Sequence, residues 1–312
     1  MRGAQCAGAG SSSDVNRTVI RPSESECVQR IAAVCGESPM WSVREQALYW
    51  TDNLGGVIHC LEPESGSDQN FLLGQNVMGI GLRERGGLVL ALAKQLAFYE
   101  PGGELELLEG VEHDQPRNRF NDSKVDRQGR LWAGTMNDVD WDVPSGSLYR
   151  IEPSLEISRL QGAVACANGL GWSPDGRTFY FGESFRYTIF AYDFDPDAGA
   201  LSARRVFATV DRNSGAFPDG LTVDVEGGVW SVQNGAGRVV RYAPDGGVTH
   251  VVEVPLPQPT SCILGGRDLD VLYVTTSRQN MTPELLRRYP LSGSVFAVRP
   301  GVSGIPEPLF AG

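Results

Sequence analysis

The feature that most constrains this chain is a pattern repeated six times. A turn followed by an apolar strand appears as SVREQALYWTDN (from Ser42), RERGGLVLALA (from Arg83) and DRQGRLWAGT (from Asp126). It returns as SPDGRTFYFGES (from Ser173), DVEGGVWSVQN (from Asp224) and GGRDLDVLYVTTS (from Gly265). Each copy is followed by a second strand rich in β-branched and aromatic residues that ends in a Pro, Asp or Gly turn: GGVIHCLEPESG, KQLAFYEPGGE, GSLYRIEPS, YTIFAYDFDPDAG, GRVVRYAPDGG and GSVFAVRPG. A period of roughly 40–50 residues is that of a four-stranded propeller blade. Two hairpins per repeat make one blade, so the expected fold class is all-β, a six-bladed β-propeller. A β-sandwich also uses short strands but does not call for six copies of a paired element.

Residues 27–34 are expected to complete the last blade beside residues 295–298, closing the ring. Residues 1–24 read as a flexible tail and 25–312 as one propeller domain. Helical periodicity is nearly absent. The exception is TPELLRRY, with Thr282 as N-cap and Pro283 in the first helical position.

Charge narrows the function. Asp and Glu number 38 against 27 Lys and Arg, a formal net charge of −11, and no basic block stands out. Such a surface repels phosphate backbones and anionic lipids, which argues against nucleic-acid and membrane-surface roles. No apolar run approaches the ~20 residues of a membrane helix, and the opening MRGAQCAGAGSSSDV lacks the apolar core of a secretory signal. The six cysteines (Cys6, Cys27, Cys35, Cys60, Cys166, Cys262) are scattered without a CxxC pair, as in a reduced, cytoplasmic protein. The expected partner is a small molecule, with the chain a monomer or weak homo-oligomer.

The repeats also give a map of the channel. Stepping back about eight residues from each turn reaches Glu37, Met78, Asn121, Asn168, Asp219 and Ser261, on the innermost strand of each blade. Five of these are polar where a core-facing strand would carry Val, Ile or Ala. Unpaired polar groups in a narrow channel are costly. Two arrangements meet the need: a divalent cation on the hard oxygens of Glu37, Asn168 and Asp219, suited to Ca²⁺, Mg²⁺ or Mn²⁺, or a hydrated channel in which the groups bond one another and ordered water.

The stretches CGESPMW, NRFNDSKVDRQGRLWAGTM, ANGLGWSPDGRTFY, FPDGLTVDVEGGVW and TSCILGG together resemble the senescence marker protein/regucalcin/gluconolactonase family, from about Glu26 to Gly312. The resemblance implies a propeller with a central metal site and a metal-dependent sugar lactonase. Its metal ligands fall on Glu37, Asn168 and Asp219, holding one divalent cation (Ca, Zn, Mn, Mg or Fe). Its substrate-contacting Arg and Asn fall on Arg119 and Asn121. The acidic residue that the family places after GTM falls in GTMNDVDWDVPSGS, between Asp138 and Asp140; Asp138 is the assignment carried forward.

The implied reaction is hydrolysis of an aldonolactone to the aldonic acid. Asp219 is the expected catalytic residue, at once ligand and general base, and Arg119 and Asn121 would orient the substrate. There is no GxSxG nucleophile elbow, and His59, His113 and His250 lie away from the motifs. Asp122 reads either as a support for the site or as a turn residue, and Cys166 shares the channel-facing alternation of Asn168. Glucono-1,5-lactone is the default substrate. The alternatives are a pentonolactonase (xylono- or arabinono-lactone), hydrolysis of another ester, and a non-catalytic Ca²⁺-binding propeller of the regucalcin type.

Overall fold

The structure, a computed structural model, describes residues 17–312. Six antiparallel sheets follow one another along the chain, and their innermost strands are Gly36–Ser42, Val77–Leu82, Asn118–Val125, Ala167–Trp172, Phe217–Val223 and Pro259–Gly265. Each of these packs beside the next, and Pro259–Gly265 returns to Gly36–Ser42. The repeats are therefore the six blades of a closed propeller.

Burial falls from the axis outward. In blade 1 the second strand, Ala47–Asp52, is buried throughout, whereas the fourth, Ser67–Leu72, is half-buried or exposed. Inner strands lie between two neighbouring blades, so both faces are apolar and simple alternation is lost. The core is accordingly six slabs, one at each junction between blades. Trp132, Leu148, Leu170 and Phe179 join blades 3 and 4, for instance, and Trp41, Trp50, Ile263 and Tyr273 join blades 6 and 1.

The turn aspartates of the repeat are structural. Asp224 is fully buried and accepts bonds from the Glu226 and Gly228 amides, from Trp230 Nε1 (2.8 Å) and from Arg241 Nε (2.6 Å). Asp126 does the same for Trp132 Nε1 and Arg130. One carboxylate thus ties a tight turn to the indole at the centre of a slab.

The ring closes beside Val295–Val298, but through a shorter segment than residues 27–34: Glu26–Gln29 pairs antiparallel with Val295–Val298 as the outermost strand of blade 6, and residues 30–34 are not strand. Within the stretch read as a tail, Thr18–Ile20 forms a parallel fifth strand on blade 5, with Val19 opposite Val251, and Ile20 enters the slab between blades 5 and 6. Pairing with an edge far away in sequence has no local turn signal. Residues 1–16, with Cys6, lie outside the described residues.

Pro283–Arg288 is helical, and the Thr282 hydroxyl accepts from the Leu285 amide as an N-cap. Residues 303–312 run across the turn end of the channel, where Gly304 N bonds Leu269 O, Phe310 N bonds Leu82 O and Glu307 pairs with Lys124 at 3.2 Å. No helix among the described residues is long and apolar enough to cross a membrane.

Candidate active site at the channel mouth

Every innermost strand carries a bulge or irregularity near its start, at Glu37/Met40, Val77/Gly79, Phe120/Asp122, Asn168/Leu170, Pro218/Leu221 and Pro259/Cys262. These fall on the register positions read from the sequence. A bulge leaves a residue out of the ladder and re-aims its side chain. In blade 4 the bulge turns on Gly169 at φ +53°, where a Cβ would sit 2.8 Å from Asp219 O, so only glycine fits between the strands carrying Asn168 and Asp219.

Four of the six register residues, Glu37, Asn121, Asn168 and Asp219, line one cavity of about 190 Å³, together with Arg119. Met78 and Ser261 do not line it. Met78 lies fully buried under Arg119, whose Nη1 approaches Sδ at 3.2 Å, and in blade 6 Thr260 takes the cavity position.

Glu37, Asn168 and Asp219 form the acidic side. Asn168 Nδ2 donates to Ser184 Oγ (2.8 Å), which in turn donates to Pro218 O (2.8 Å), so blade 4 is locked to blade 5 and the amide oxygen of Asn168 is left over. Asp219 Oδ2 accepts from Asn234 Nδ2 at 3.0 Å. Glu37 Oε2 accepts only from the neighbouring Ser38 amide, at 3.2 Å. Burial, reinforced by the nearby Asp219 and Asp122 charges, holds the Glu37 carboxyl well above the ordinary range. Burial likewise pushes Asp219 up to about 7, against the Asn234 hydrogen bond that lowers it.

The opposite arm is centred on Arg119, which is 9% exposed. Its Nε donates to Asp138 Oδ1 at 2.5 Å, and its Nη1 donates to Phe120 O and to Asn121 Oδ1 (2.7 Å). Asn121 Nδ2 completes the chain by donating to Ala167 O at 2.8 Å. Asp138 therefore reaches the site through Arg119, whereas Asp140 pairs with Arg117 on the surface.

Asp122 lies behind this wall. It accepts from the Ser123 amide and from Gly169 N (2.8 Å), bracing the blade 4 bulge, and burial raises it to about 6. Cys166 lines the cavity, its thiol pushed up to about 12 by burial. The histidines are elsewhere: His59 stacks on Trp50 with centroids 3.9 Å apart, His250 lies against Trp230, and His113 pairs with Glu109 in the open.

Sequence reasoning missed Asn234 and Ser184, which fix Asp219 and Asn168, and the cavity residues Asn53, Ser277 and Gln258. A signal was present. Five of the six repeat copies end in a polar residue, and four of these, Asn53, Ser184, Asn234 and Ser277, stand at or just past the end of the second strand, level with the site. The half-buried aromatics Trp141, Phe185 and Phe217, also on the wall, had no such mark.

Among the described residues no group of three or more His, Cys, Asp or Glu side chains is placed to hold a metal ion. A mixed carboxylate–amide set remains, and it fits: the carboxyls of Asp219 and the half-buried Glu37, few protein donors to them, and a free amide oxygen form a hard-oxygen site.

Comparison with known proteins agrees with this architecture. Residues 35–278 match the family model described as SMP-30/gluconolactonase/LRE-like region. The chain is 41% identical to 6-deoxy-6-sulfogluconolactonase of Pseudomonas putida, over 92% of this chain and 98% of that one. It is 34% identical to regucalcin of Oryctolagus cuniculus with the same coverage of each. The crystal structure of regucalcin from Agrobacterium tumefaciens, described as a calcium-binding protein, superposes with a TM-score of 0.87 at 27% identity, covering 94% of this chain and 99% of that one. The chain belongs to the SMP-30/gluconolactonase/LRE-like family.

Proposed function

We propose that the protein hydrolyses a sugar lactone to its aldonic acid, with one divalent cation held by Glu37, Asn168 and Asp219. The observation that carries this reading is the pairing, in one cavity, of two carboxyls and an amide oxygen with the Arg119–Asn121 arm. The names of the Pseudomonas relative and the family model support the lactone, and the calcium-binding description of the Agrobacterium protein supports the cation.

When bound, the cation supplies a Lewis acid for the lactone carbonyl. The chain's own groups do the rest. Asp219, oriented by Asn234, takes the proton from the attacking water as general base. Arg119, held on three sides by Asp138, Asn121 and Phe120 O, presents fixed donors to ring oxygens and hydroxyls, so the carbonyl is positioned without further ordering of the side chain. The free thiols of Cys27, Cys35, Cys60, Cys166 and Cys262 suit a cytoplasmic setting.

The test is removal of metal with chelator, restoration of single cations, and measurement of acid release from a panel of aldonolactones. Activity should vanish and return with the cation, and Asp219→Ala and Glu37→Ala should abolish it. Full turnover in chelator, or by Asp219→Ala, defeats the mechanism.

A further inference from the structure

Two amides across the ring from Arg119 have no assigned role and no side-chain partner among the described residues. Asn53 follows the second strand of blade 1, and Gln258 precedes the innermost strand of blade 6; both line the cavity. Asn53 is 5% exposed, yet its Oδ1 accepts no hydrogen bond among the described residues, and neither does the buried Oε1 of Gln258. Native proteins leave very few buried polar atoms unpaired, and such atoms mark places where something else supplies the partner.

The fold uses only the backbones of these residues. Asn53 N donates to Cys35 O (2.9 Å), Val77 N donates to Asn53 O, and Ser277 N donates to Gln258 O. Gln279 and Asn280 extend the same amide arc at the rim. The opposite arc is aromatic: Trp141 and Phe185 have centroids 6.1 Å apart, and Phe185 and Phe217 5.6 Å. The cavity thus has one face for C–H surface and one edge for hydroxyls.

We propose that Asn53 and Gln258 are specificity-determining residues that bind substrate hydroxyls remote from the lactone carbonyl, while the aromatic arc covers the carbon face of the ring. This rests on the lactonase reading. A primary amide offers both donor and acceptor, and turning it about its last bond exchanges the two, so it can pair with a hydroxyl in either sense. A site of this kind rejects an analogue lacking the hydroxyl, because the amide is then left unpaired.

The test compares kcat/KM of the intact, cation-loaded chain on glucono-1,5-lactone and on a set of its analogues each lacking one hydroxyl. The wild type should prefer the complete lactone. Asn53→Ala and Gln258→Ala should each lower kcat/KM on it roughly three- to tenfold, mainly through KM, and leave one matched deoxy-lactone unaffected, so that the preference collapses. The ratio of two substrates on one preparation is independent of the folded fraction, and Asn53→Ser serves should Asn53→Ala not fold. Unchanged preference across the set in both positions overturns the subsite alone. No hydrolysis of any lactone by the wild type overturns the lactonase reading, and the subsite with it.

Discussion

Two carboxyls on one cavity wall make a prediction about stability as well as catalysis. Asp219 has its pKa raised from 3.8 to about 7, mainly by burial, and Glu37 shifts in the same direction. A carboxyl whose folded-state pKa is raised binds its proton more tightly in the native state than in the unfolded chain. Its contribution is therefore favourable below the unfolded value and is lost as pH rises from about 4 through about 7. For Asp219 the loss is about 4 kcal/mol at 1.36 kcal/mol per pKa unit. At ~2 °C per kcal/mol for a large domain this is on the order of 8 °C in Tm. The perturbation is chelation: the metal-stripped protein, melted by circular dichroism between pH 5 and 8, should lose with rising pH the part of this that lies above pH 5, about 3 kcal/mol or on the order of 5 °C, relative to Asp219→Asn, which carries no titrating group there. A saturating divalent cation should remove the difference, since both carboxylates then have a charge partner. Identical pH slopes for the chelated wild type and Asp219→Asn would refute the reasoning, as would a slope of opposite sign.

Two further outcomes follow from contacts away from the acidic side. Asp224→Ala leaves the buried Trp230 Nε1 without its partner and takes from Arg241 its buried carboxylate, leaving it only Glu226 and Thr249, an effect of about 3–5 kcal/mol, so thermal unfolding should fall by at least 6 °C; a shift under 2 °C contradicts the assignment. A 6-sulfonated gluconolactone should be a poorer substrate than gluconolactone by at least roughly tenfold in kcat/KM. Among the described residues Arg119 is the only cationic side chain lining the cavity, and its charge is already countered by Asp138, so it has donors left for hydroxyls but no free charge for an anion. Equal or faster turnover of the sulfonated lactone would show that the site holds an anion after all.

Much of this was legible because a propeller repeats. One register, carried through six copies, placed Glu37, Asn121, Asn168 and Asp219 at the same height, and the structure puts all four on one cavity. What the register does not encode is side-chain contact from one strand or blade to the next. Asn234 steadies Asp219 from the neighbouring strand of the same blade, and Ser184 links Asn168 to Pro218 through geometry that exists only once blades 4 and 5 are packed. Asp138 and Asp140 are two residues apart in a loop without periodicity, and only the reach of Arg119 separates them. Trp141 and Phe185 looked like ordinary apolar residues until they met across blades 3 and 4.

The strand Glu26–Gln29 belongs to the last blade, although it is made almost first. Thr18–Ile20, just before it, belongs to blade 5. During synthesis both segments leave the ribosome more than 200 residues ahead of their partners and must wait, unpaired, while blades 1 to 4 assemble. Such long-range pairings form slowly and leave strand edges open to other chains in the meantime. The last hairpin to emerge therefore decides when the ring becomes a ring, and a nascent chain stalled before residue 295 would hold most of its blades but no closed channel in which to gather the site.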